Sequence, residues 1–305
     1  MYSMNTSYSG GSSHNIITNH FYLGMDNEGL SINEWKDKLK GIIENIPEEA
    51  DKLTPIIQLI VSAISPAKIY MLKHKPFKGS DATGFIDLLI VIPSSCNIKF
   101  TELEPTLEMA YLKDSRVCCS LLSESAVIDG LKEGHIYYSL YCTPENIVYD
   151  DKKNTYPIAP VDLLTEMKNK QKENFASQFK RAKNFYQCAS FLHSSDDTTL
   201  VLFMLHQAIE LTYRAVMKSL DYYEKRTHQI RSMRKYVRRS APELNLVFTD
   251  DTPQERRLLD VIENAYLGTR YEDHYEIKEG YTELLLEKVS RLQDIAEQTV
   301  NEILN

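Results

Sequence analysis

The chain has 305 residues, enough for about two domains at a typical ~150 residues each. Its hydrophobic fraction of 43% and charged fraction of 26% are those of a soluble globular protein, and the net charge of −8 argues against a whole surface that binds nucleic acid or an acidic membrane. The five cysteines show no Cys-x-x-Cys spacing, which argues against a disulfide framework or a zinc site and favours a reducing, cytoplasmic compartment.

The N-terminal part begins with a polar segment, residues 1–20, which is rich in Ser, Gly and Asn and predicts a flexible tail without a secretory signal. A capping-box pattern predicts a helix over 31–46, and Pro47 opens a second helix that ends before Pro66. The longest apolar run lies within that second helix and is shorter than the ~18 residues of a membrane span, so we expect no contact with a membrane.

Residues 21–150 predict an α/β layer domain with a mixed sheet, because strand-like and helix-like segments alternate. The run 86–92 is almost wholly apolar, as in a strand that is buried on both faces. The predicted strands are 68–72, 86–92 and 116–122, the predicted helices are 102–113 and 124–132, and a hairpin is predicted from 135–141 and 147–149.

After the charged, turn-prone residues 150–154 the apolar period becomes that of helices, and residues 155–305 predict an all-α bundle. Asp197 and Thr252 are the predicted N-caps of two of these helices. The second helix has a broad apolar face and is expected to lie centrally. The predicted helices are 161–193, 197–220, 229–240, 253–269 and 277–304.

One acidic residue begins the buried strand in the stretch GSDATGFIDLLIVIP, residues 79–93. A metal-dependent nucleotide-transfer site needs two carboxylates one residue apart at such a place, to hold divalent ions against a triphosphate. The order strand, loop, Asp-Leu-Leu-Ile-Val resembles the minimal nucleotidyltransferase fold over residues 67–150. Asp87 matches the second aspartate of that family, but Phe85 stands at the first, and one carboxylate cannot hold two magnesium ions. We therefore expect no cofactor, and magnesium only if this domain is active.

A phosphate compound can still bind next to this strand without reacting. The segment KHKPFK carries three lysines in six residues and precedes the strand. The predicted nucleotide- or phosphate-binding residues are Lys73, His74, Lys75, Lys78 and Asp87. The alternatives are a solvated basic loop and an aspartate that only caps or hydrogen-bonds a neighbouring loop.

A strongly basic segment, KRTHQIRSMRKYVRR, covers residues 225–239 and contains no acidic residue. Helical spacing places Arg231, Arg234, Lys235 and Arg238 on one face, while apolar residues point toward the core. Such a face can follow the phosphates of RNA. The alternative is a solvated face that is balanced by acidic residues from elsewhere in the fold.

The segment AYLGTRYEDHY brings an arginine and a histidine together near a helix end, at Arg270 and His274. His can transfer a proton near neutral pH and Arg can stabilise a charged phosphorane-like state, so the pair has the parts of a metal-free ribonuclease. In the alternative interpretation, Arg270 pairs with Glu263 or Asp273 and has a structural role.

The segments FMLHQAIELTYRAVMKSL, THQIRSM and AYLGTRYEDHY, in that order, resemble the HEPN (higher eukaryote and prokaryote nucleotide-binding) domain over residues 160–305. The resemblance implies an all-α up-and-down helical bundle that forms a homodimer through the helical domain. Many members are toxin or defence ribonucleases with an Arg, a spacer and a His, which here would be Arg270 and His274. Others bind RNA without cutting it.

The sequence thus predicts a two-domain α+β chain, with a degenerate nucleotidyltransferase-like domain followed by a HEPN-like domain. The preferred function is a cytoplasmic protein that senses or binds a nucleotide or RNA. The alternatives are a metal-independent endoribonuclease that uses Arg270 and His274, and an active magnesium-dependent nucleotidyltransferase.

Overall fold

The fold is described from a computed structural model that covers residues 53–73, 86–113, 117–194, 197–222, 226–271 and 280–305, with the backbone alone at 108–113 and 267–271. The chain divides into two compact units, Met1–Pro55 and Ile56–Asn305, and all the strands described below lie in the second. The predicted tail and the predicted helix 31–46 lie outside the described residues.

The first half of the second unit is an α/β region built on a four-stranded mixed sheet, as predicted. The strands follow the order β3-β2-β1-β4, in which β1 runs antiparallel to β2 and to β4, and β2 runs parallel to β3. The elements are α1 (Thr54–Ile64), β1 (Lys68–Lys73), β2 (Ile86–Ile92), α2 (Phe100–Lys113), β3 (Val117–Ser123), α3 (Glu124–Lys132), α4 (Ile136–Tyr141) and β4 (Ile147–Asp150).

Strand β2 lies in the interior of the sheet, and every residue from its second position to its end is buried. This agrees with its near-continuous apolar sequence, since both faces of the strand need apolar side chains. At one end of the neighbouring strand β1, Lys68 forms an ion pair with Asp150 of β4, with Nζ 2.7 Å from Oδ1. Asp150 is more exposed than Lys68, so the pair sits at the sheet margin.

The predicted hairpin around residues 143–146 is wrong. Residues Ile136–Tyr141 form helix α4, and β4 pairs with β1 instead of with this segment. Ile136 and Tyr137 are neighbours in the sequence and are both buried. A short run of apolar and aromatic residues such as this one is compatible with either a strand or a helical turn. The aromatic composition favoured a strand, and packing in the folded chain favours the helix.

The second half is a helical bundle whose centre is one long helix. The helices are α5 (Val161–His193), α6 (Thr198–Leu220), α7 (Ile230–Val237), α8 (Pro253–Tyr271) and α9 (Tyr281–Leu304). Helix α6 packs against α5, α7, α8 and α9. The buried residues of α6 cover more of its circumference than one apolar stripe would. Leu202, Leu205 and Ile209 are completely buried and belong to the hydrophobic core of the bundle. The central position predicted for this helix is confirmed.

Two predicted N-caps form as expected. The Asp197 carboxylate accepts a hydrogen bond from the Leu200 amide at 3.0 Å, and the Thr252 hydroxyl accepts one from the Glu255 amide at 3.1 Å. Each bond satisfies an amide that the first helical turn leaves without a backbone partner. Helix α6 is also the one helix among the described residues with the length and composition to cross a membrane, and 67% of its apolar window is buried inside the bundle.

The α/β region and the bundle meet around the C-terminal ends of α6 and α7. Arg239 donates to the Asp221 carboxylate at 2.6 Å and lies over the Tyr137 ring of α4, 4.7 Å from its centre. His135, just before α4, donates through Nε2 to the Asp221 carbonyl at 3.2 Å. A cation, a carboxylate and an aromatic ring therefore join the two regions through directed contacts.

Candidate nucleic-acid interface

One end of the sheet carries the described residues of the predicted phosphate site. Lys73 is the last residue of β1 and is exposed, and it lies opposite Ile86, the first residue of β2. Asp87 follows on β2 and lies between Leu72 of β1 and Cys118 of β3. His74, Lys75 and Lys78, which the sequence also predicts as phosphate-binding, lie outside the described residues, as does Phe85.

The Asp87 side chain is only 2% exposed and accepts a hydrogen bond from the Cys118 thiol. The pKa of the Cys118 thiol is raised, mainly by burial and also by the charge and hydrogen bond of Asp87. The positive charges of Arg238 and Lys235 act on the same thiol in the opposite direction and lower its pKa. Arg238 and Lys235 of the basic segment are therefore close enough to act electrostatically on the start of β2 and β3. The structure brings the end of β1, Asp87 and the basic segment to one end of the sheet.

Helix α7 has the two faces that its sequence predicts. Ile230, Met233 and Val237 are completely buried, and the basic side chains lie on the other side. Two of these are engaged in ion pairs. Arg231 contacts Asp260 at 2.6 Å and Glu263 at 2.9 Å on α8, and Arg234 contacts Asp250 at 2.8 Å and donates to the Phe248 carbonyl.

These ion pairs separate the four predicted RNA-binding residues into two groups. Arg231 and Arg234 are balanced by acidic neighbours, the arrangement that the sequence left open as an alternative. Lys235 is exposed, and it has no ion-pair partner within the part of the chain that the structure describes. Because Lys235 is exposed and also lies near the sheet end, it is the strongest of the four candidates for contact with phosphate, whereas Nε and one terminal nitrogen of Arg238 are buried.

A second polar cluster lies in the bundle, and the sequence reasoning did not assemble it. His206, Glu210 and Arg214 follow one another at intervals of four along α6, so they share one side of the helix. Glu210 is buried, and its carboxylate accepts a hydrogen bond from Arg214 Nε at 3.0 Å. His228, just before α7, donates from Nδ1 to the same carboxylate at 3.0 Å. The sequence features that could have indicated this cluster are the segment HQAIE at residues 206–210 and the segment THQ at residues 227–229.

The two histidines of this cluster have different environments. His206 is completely buried and uses both ring nitrogens, since Nε2 donates to the His228 carbonyl at 3.0 Å and Nδ1 lies 3.3 Å from the Gln207 amide nitrogen. The His228 side chain is 52% exposed, and Glu210 binds only its Nδ1. The His228 ring stacks on Tyr266 of α8, with centres 4.4 Å apart and planes 11° apart.

The bundle containing this cluster matches a family model. The model is that of the HEPN domain, and it covers residues 176–299. Residues 176–299 form a HEPN domain. No curated protein matches the chain. The resemblance of residues 67–150 to nucleotidyltransferases is not shown by a family model and stays a prediction.

The helix that contributes Tyr266 to the cluster also contains position 270, the arginine that the family resemblance singled out. Helix α8 continues through position 270, so the backbone of Arg270 lies about one helical turn beyond that of Tyr266. The side chain of Arg270 and all of His274 lie outside the described residues, so the ribonuclease pair predicted from them stays a prediction. The Glu263 proposed as a structural partner of Arg270 contacts Arg231.

Metal ligands are sparse in the described part of the chain. No three His, Cys, Asp or Glu side chains among the described residues are grouped closely enough to hold a metal ion. Glu210 has two histidines beside it, but its oxygens accept hydrogen bonds from Arg214 and from His228. The carboxylate is therefore arranged to orient donors, and the chemistry this cluster fits best is proton transfer and hydrogen bonding.

Proposed function

We propose that the protein binds RNA through phosphate contacts at the sheet end, where the α/β region meets the HEPN domain, and that it transfers no nucleotide there. The observation that carries this proposal is that Lys73, the described residue of one predicted basic segment, lies at the same end of the sheet as Lys235 and Arg238 of the other. Lys73 ends β1 beside the start of β2, and the charges of Lys235 and Arg238 act on Cys118 at the start of β3.

Cations from distant parts of the chain that meet at one place can neutralise successive phosphates of one strand. The convergence also explains how an acidic chain can hold RNA, since the net charge of −8 describes the whole surface and not this end of the sheet. The HEPN domain supports RNA as the ligand class, because this domain is generally RNA-related. A free nucleotide offers fewer phosphates and is the competing ligand in the test.

Nucleotidyl transfer is disfavoured by the surroundings of Asp87. A catalytic metal needs carboxylate oxygens that open toward the substrate, usually from at least two acidic residues. Asp87 is buried and receives the Cys118 thiol hydrogen bond. Its strand offers one acidic residue, and β3, with the sequence VCCSLLS, offers none. The Asp87 carboxylate is therefore engaged inside the sheet and does not open toward a substrate.

The test is RNA binding by the full-length protein as a function of salt, measured by fluorescence anisotropy with a labelled single-stranded RNA whose ribose carries 2′-O-methyl groups. Lys235→Ala should weaken binding and reduce the slope of log K against log salt by about 0.7, the loss of one phosphate contact. Lys73→Ala should do the same. The matched control is Lys132→Ala, another exposed lysine, on α3, which should leave affinity and slope unchanged.

Arg234→Ala gives a second comparison within the same helix. Its side chain is 13% exposed and already pairs with Asp250. This change should therefore lower the melting temperature, and it should alter the salt slope less than Lys235→Ala does. If the wild-type protein does not bind RNA, or if Lys235→Ala and Lys132→Ala behave alike, the proposed surface is wrong. Binding of free nucleoside triphosphate with equal affinity would replace RNA by a nucleotide as the ligand.

A further inference from the structure

We infer that His228 and Tyr266 form a stacking platform for one unpaired base of a single-stranded RNA, and that the platform favours a purine because of its larger ring area. The inference rests on the proposed function, because it adds a base contact to the strand whose phosphates are held at the sheet end. Phosphate contacts accept any RNA, whereas a stacking platform needs a base that is not enclosed in a duplex. The ligand class is therefore single-stranded RNA.

The first observation is the arrangement of the two rings. The imidazole of His228 and the phenol ring of Tyr266 lie nearly parallel, with planes 11° apart and centres 4.4 Å apart. This is the offset-stacked geometry that aromatic rings prefer. A planar base on the other face of the imidazole continues the same stack, as unpaired bases do on the aromatic and histidine side chains of RNA-binding modules.

The second observation is that the other face of the imidazole is open. Tyr266 covers one face, and Glu210 holds the Nδ1 edge at 3.0 Å. The His228 side chain is nevertheless 52% exposed, and within the described part of the chain no second ring stacks on it. His206 of the same cluster is completely buried and has contacts at both ring nitrogens. A histidine that only supports the fold is expected to resemble His206.

The third observation is that the platform is fixed before a ligand binds. The His228 carbonyl accepts a hydrogen bond from His206 Nε2 at 3.0 Å, and the preceding Thr227 carbonyl accepts one from Arg214 at 2.8 Å. With the bond to Glu210, these contacts hold both the backbone and the ring of His228. A side chain that is already held loses little rotamer freedom when a base stacks on it, so more of the stacking energy appears as affinity.

The platform is close enough to the phosphate contacts to act on the same strand. Helix α7 begins at Ile230, two residues after His228, and Lys235 lies five residues further along it. At about 1.5 Å per residue this is a rise of about 7.5 Å, which about two stacked nucleotides span at about 3.4 Å each. Arg226, exposed two residues before His228, adds a positive charge at the platform end. One short oligonucleotide can therefore engage both places.

The experiment compares two labelled single strands of equal length by fluorescence anisotropy with the full-length protein. One is an oligomer of 2′-O-methyladenosine, and the other has the same phosphate backbone with base-free sugars. The wild-type protein should bind the adenine strand at least about 10-fold more tightly, which is within the range for one base stacked on an aromatic side chain. The slope of log K against log salt should be the same for both strands, because stacking neutralises no phosphate.

Replacement of His228 tests the platform itself. His228→Ala should lose about 10-fold in affinity for the adenine strand and should bind the base-free strand as the wild type does, with an unchanged salt slope. His228→Phe keeps a flat ring over Tyr266 and should retain most of the affinity. The matched control is His193→Ala, a partly exposed histidine beside Glu283, which should leave both affinities unchanged. If His228 were only structural, His228→Phe, which lacks the Glu210 hydrogen bond, would behave like His228→Ala.

Photocrosslinking locates the stacked base in the wild-type protein, so this measurement does not depend on a variant that folds. Single-stranded RNAs that carry 5-iodouridine at one position at a time are irradiated in complex with the protein. Tandem mass spectrometry of the digested complex then identifies the attached residue. One position in the strand should give a crosslink to His228 or Tyr266, and crosslinks confined to other residues would contradict the inference.

The outcomes separate this inference from the proposed function. If the wild-type protein binds both strands equally and with the expected salt slope, the platform is wrong and the phosphate contacts stand. Equal losses for both strands in His228→Ala also overturn the platform, because they report a damaged fold and not a lost base contact. If neither strand binds to the wild-type protein, the proposed function fails and this inference fails with it.

Discussion

Replacing His135 by Phe should flatten the pH dependence of stability below neutral pH. The His135 ring stacks on Tyr138 at 4.1 Å and meets the edge of Tyr222 at 4.3 Å, and a phenyl ring can make both contacts. Burial lowers the pKa of His135 to about 4, against a hydrogen bond to the Asp221 carbonyl that raises it, and the nearby Arg239 charge lowers it further. The imidazole is therefore neutral in the folded protein at a pH where the unfolded chain would protonate it.

The sign and size of the effect follow from this difference. The pKa of His135 falls from 6.5 in the unfolded chain to about 4 in the folded protein, so between these two values the unfolded chain binds the proton more strongly. The free energy of unfolding therefore has its full value above pH 6.5 and decreases as the pH falls toward 4. Each unit is worth about 1.4 kcal/mol, so the free energy of unfolding should lose about 3 kcal/mol across this range through His135 alone. A phenylalanine binds no proton and removes that contribution.

Urea unfolding measured at several values between about pH 7 and about pH 4 gives the difference between the two proteins. Asp221 acts in the opposite sense, because burial raises its pKa to about 6 and its protonation stabilises the fold as the pH falls, but it is present in both proteins and cancels in the difference. His193→Gln, which removes a more exposed histidine, is the control. Parallel profiles for wild type and His135→Phe would refute the reasoning.

Two further predictions concern the cap of α6 and the metal requirement. Asp197→Ala should lower the free energy of unfolding by about 1 kcal/mol, because the Leu200 amide loses its acceptor. Asp197→Asn should lower it much less, since Asn is also a good N-cap residue. Urea unfolding of both variants gives the comparison. Magnesium should not raise the melting temperature of the wild-type protein or of Asp87→Asn. A magnesium-dependent rise in the wild type that disappears in Asp87→Asn would restore the metal site that the proposed function excludes.

The long elements could be predicted closely from the sequence because several local signals agree in them. Helices Val161–His193 and Glu124–Lys132 have the predicted bounds, and α6 begins one residue after its predicted start, at the Asp197 cap. In each case apolar period, flanking turn residues and cap chemistry indicate the same element. The strand Ile86–Ile92 is equally clear, since its apolar run is too short for a buried helix and ends at a proline.

Helix α4 could not be predicted because its reason for folding comes from elsewhere in the chain. Its sequence, IYYSLY, has the aromatic content of a strand. In the structure Tyr137 lies beneath the Arg239 guanidinium, and the preceding His135 donates to the Asp221 carbonyl, so both contacts are made with residues about 85 to 100 positions later. A propensity argument contains neither partner, and tertiary contacts override a weak local preference.

The charges of the candidate sites also could not be predicted from the local sequence alone. The segment 225–239 has no acidic residue, and from the sequence this asymmetry predicts a continuous basic face. The acidic partners Asp260 and Glu263 come from α8, about 30 residues later, and they neutralise Arg231 at one part of that face while Lys235 remains exposed. A run of like charge therefore predicts where cations are, and only the fold determines which of them can meet a phosphate.

The same reasoning explains why the pairing of His228 with Glu210 could not be predicted from the sequence. A lone histidine in a basic loop carries little information, because its chemistry depends on the group that holds its second nitrogen. Glu210 lies 18 residues earlier, on a helix whose sequence indicates only an apolar core, and its carboxylate is buried. A buried acid on a core helix is costly unless it is paired, so Glu210 itself was the signal: its partners had to exist, and an exposed histidine is one of them.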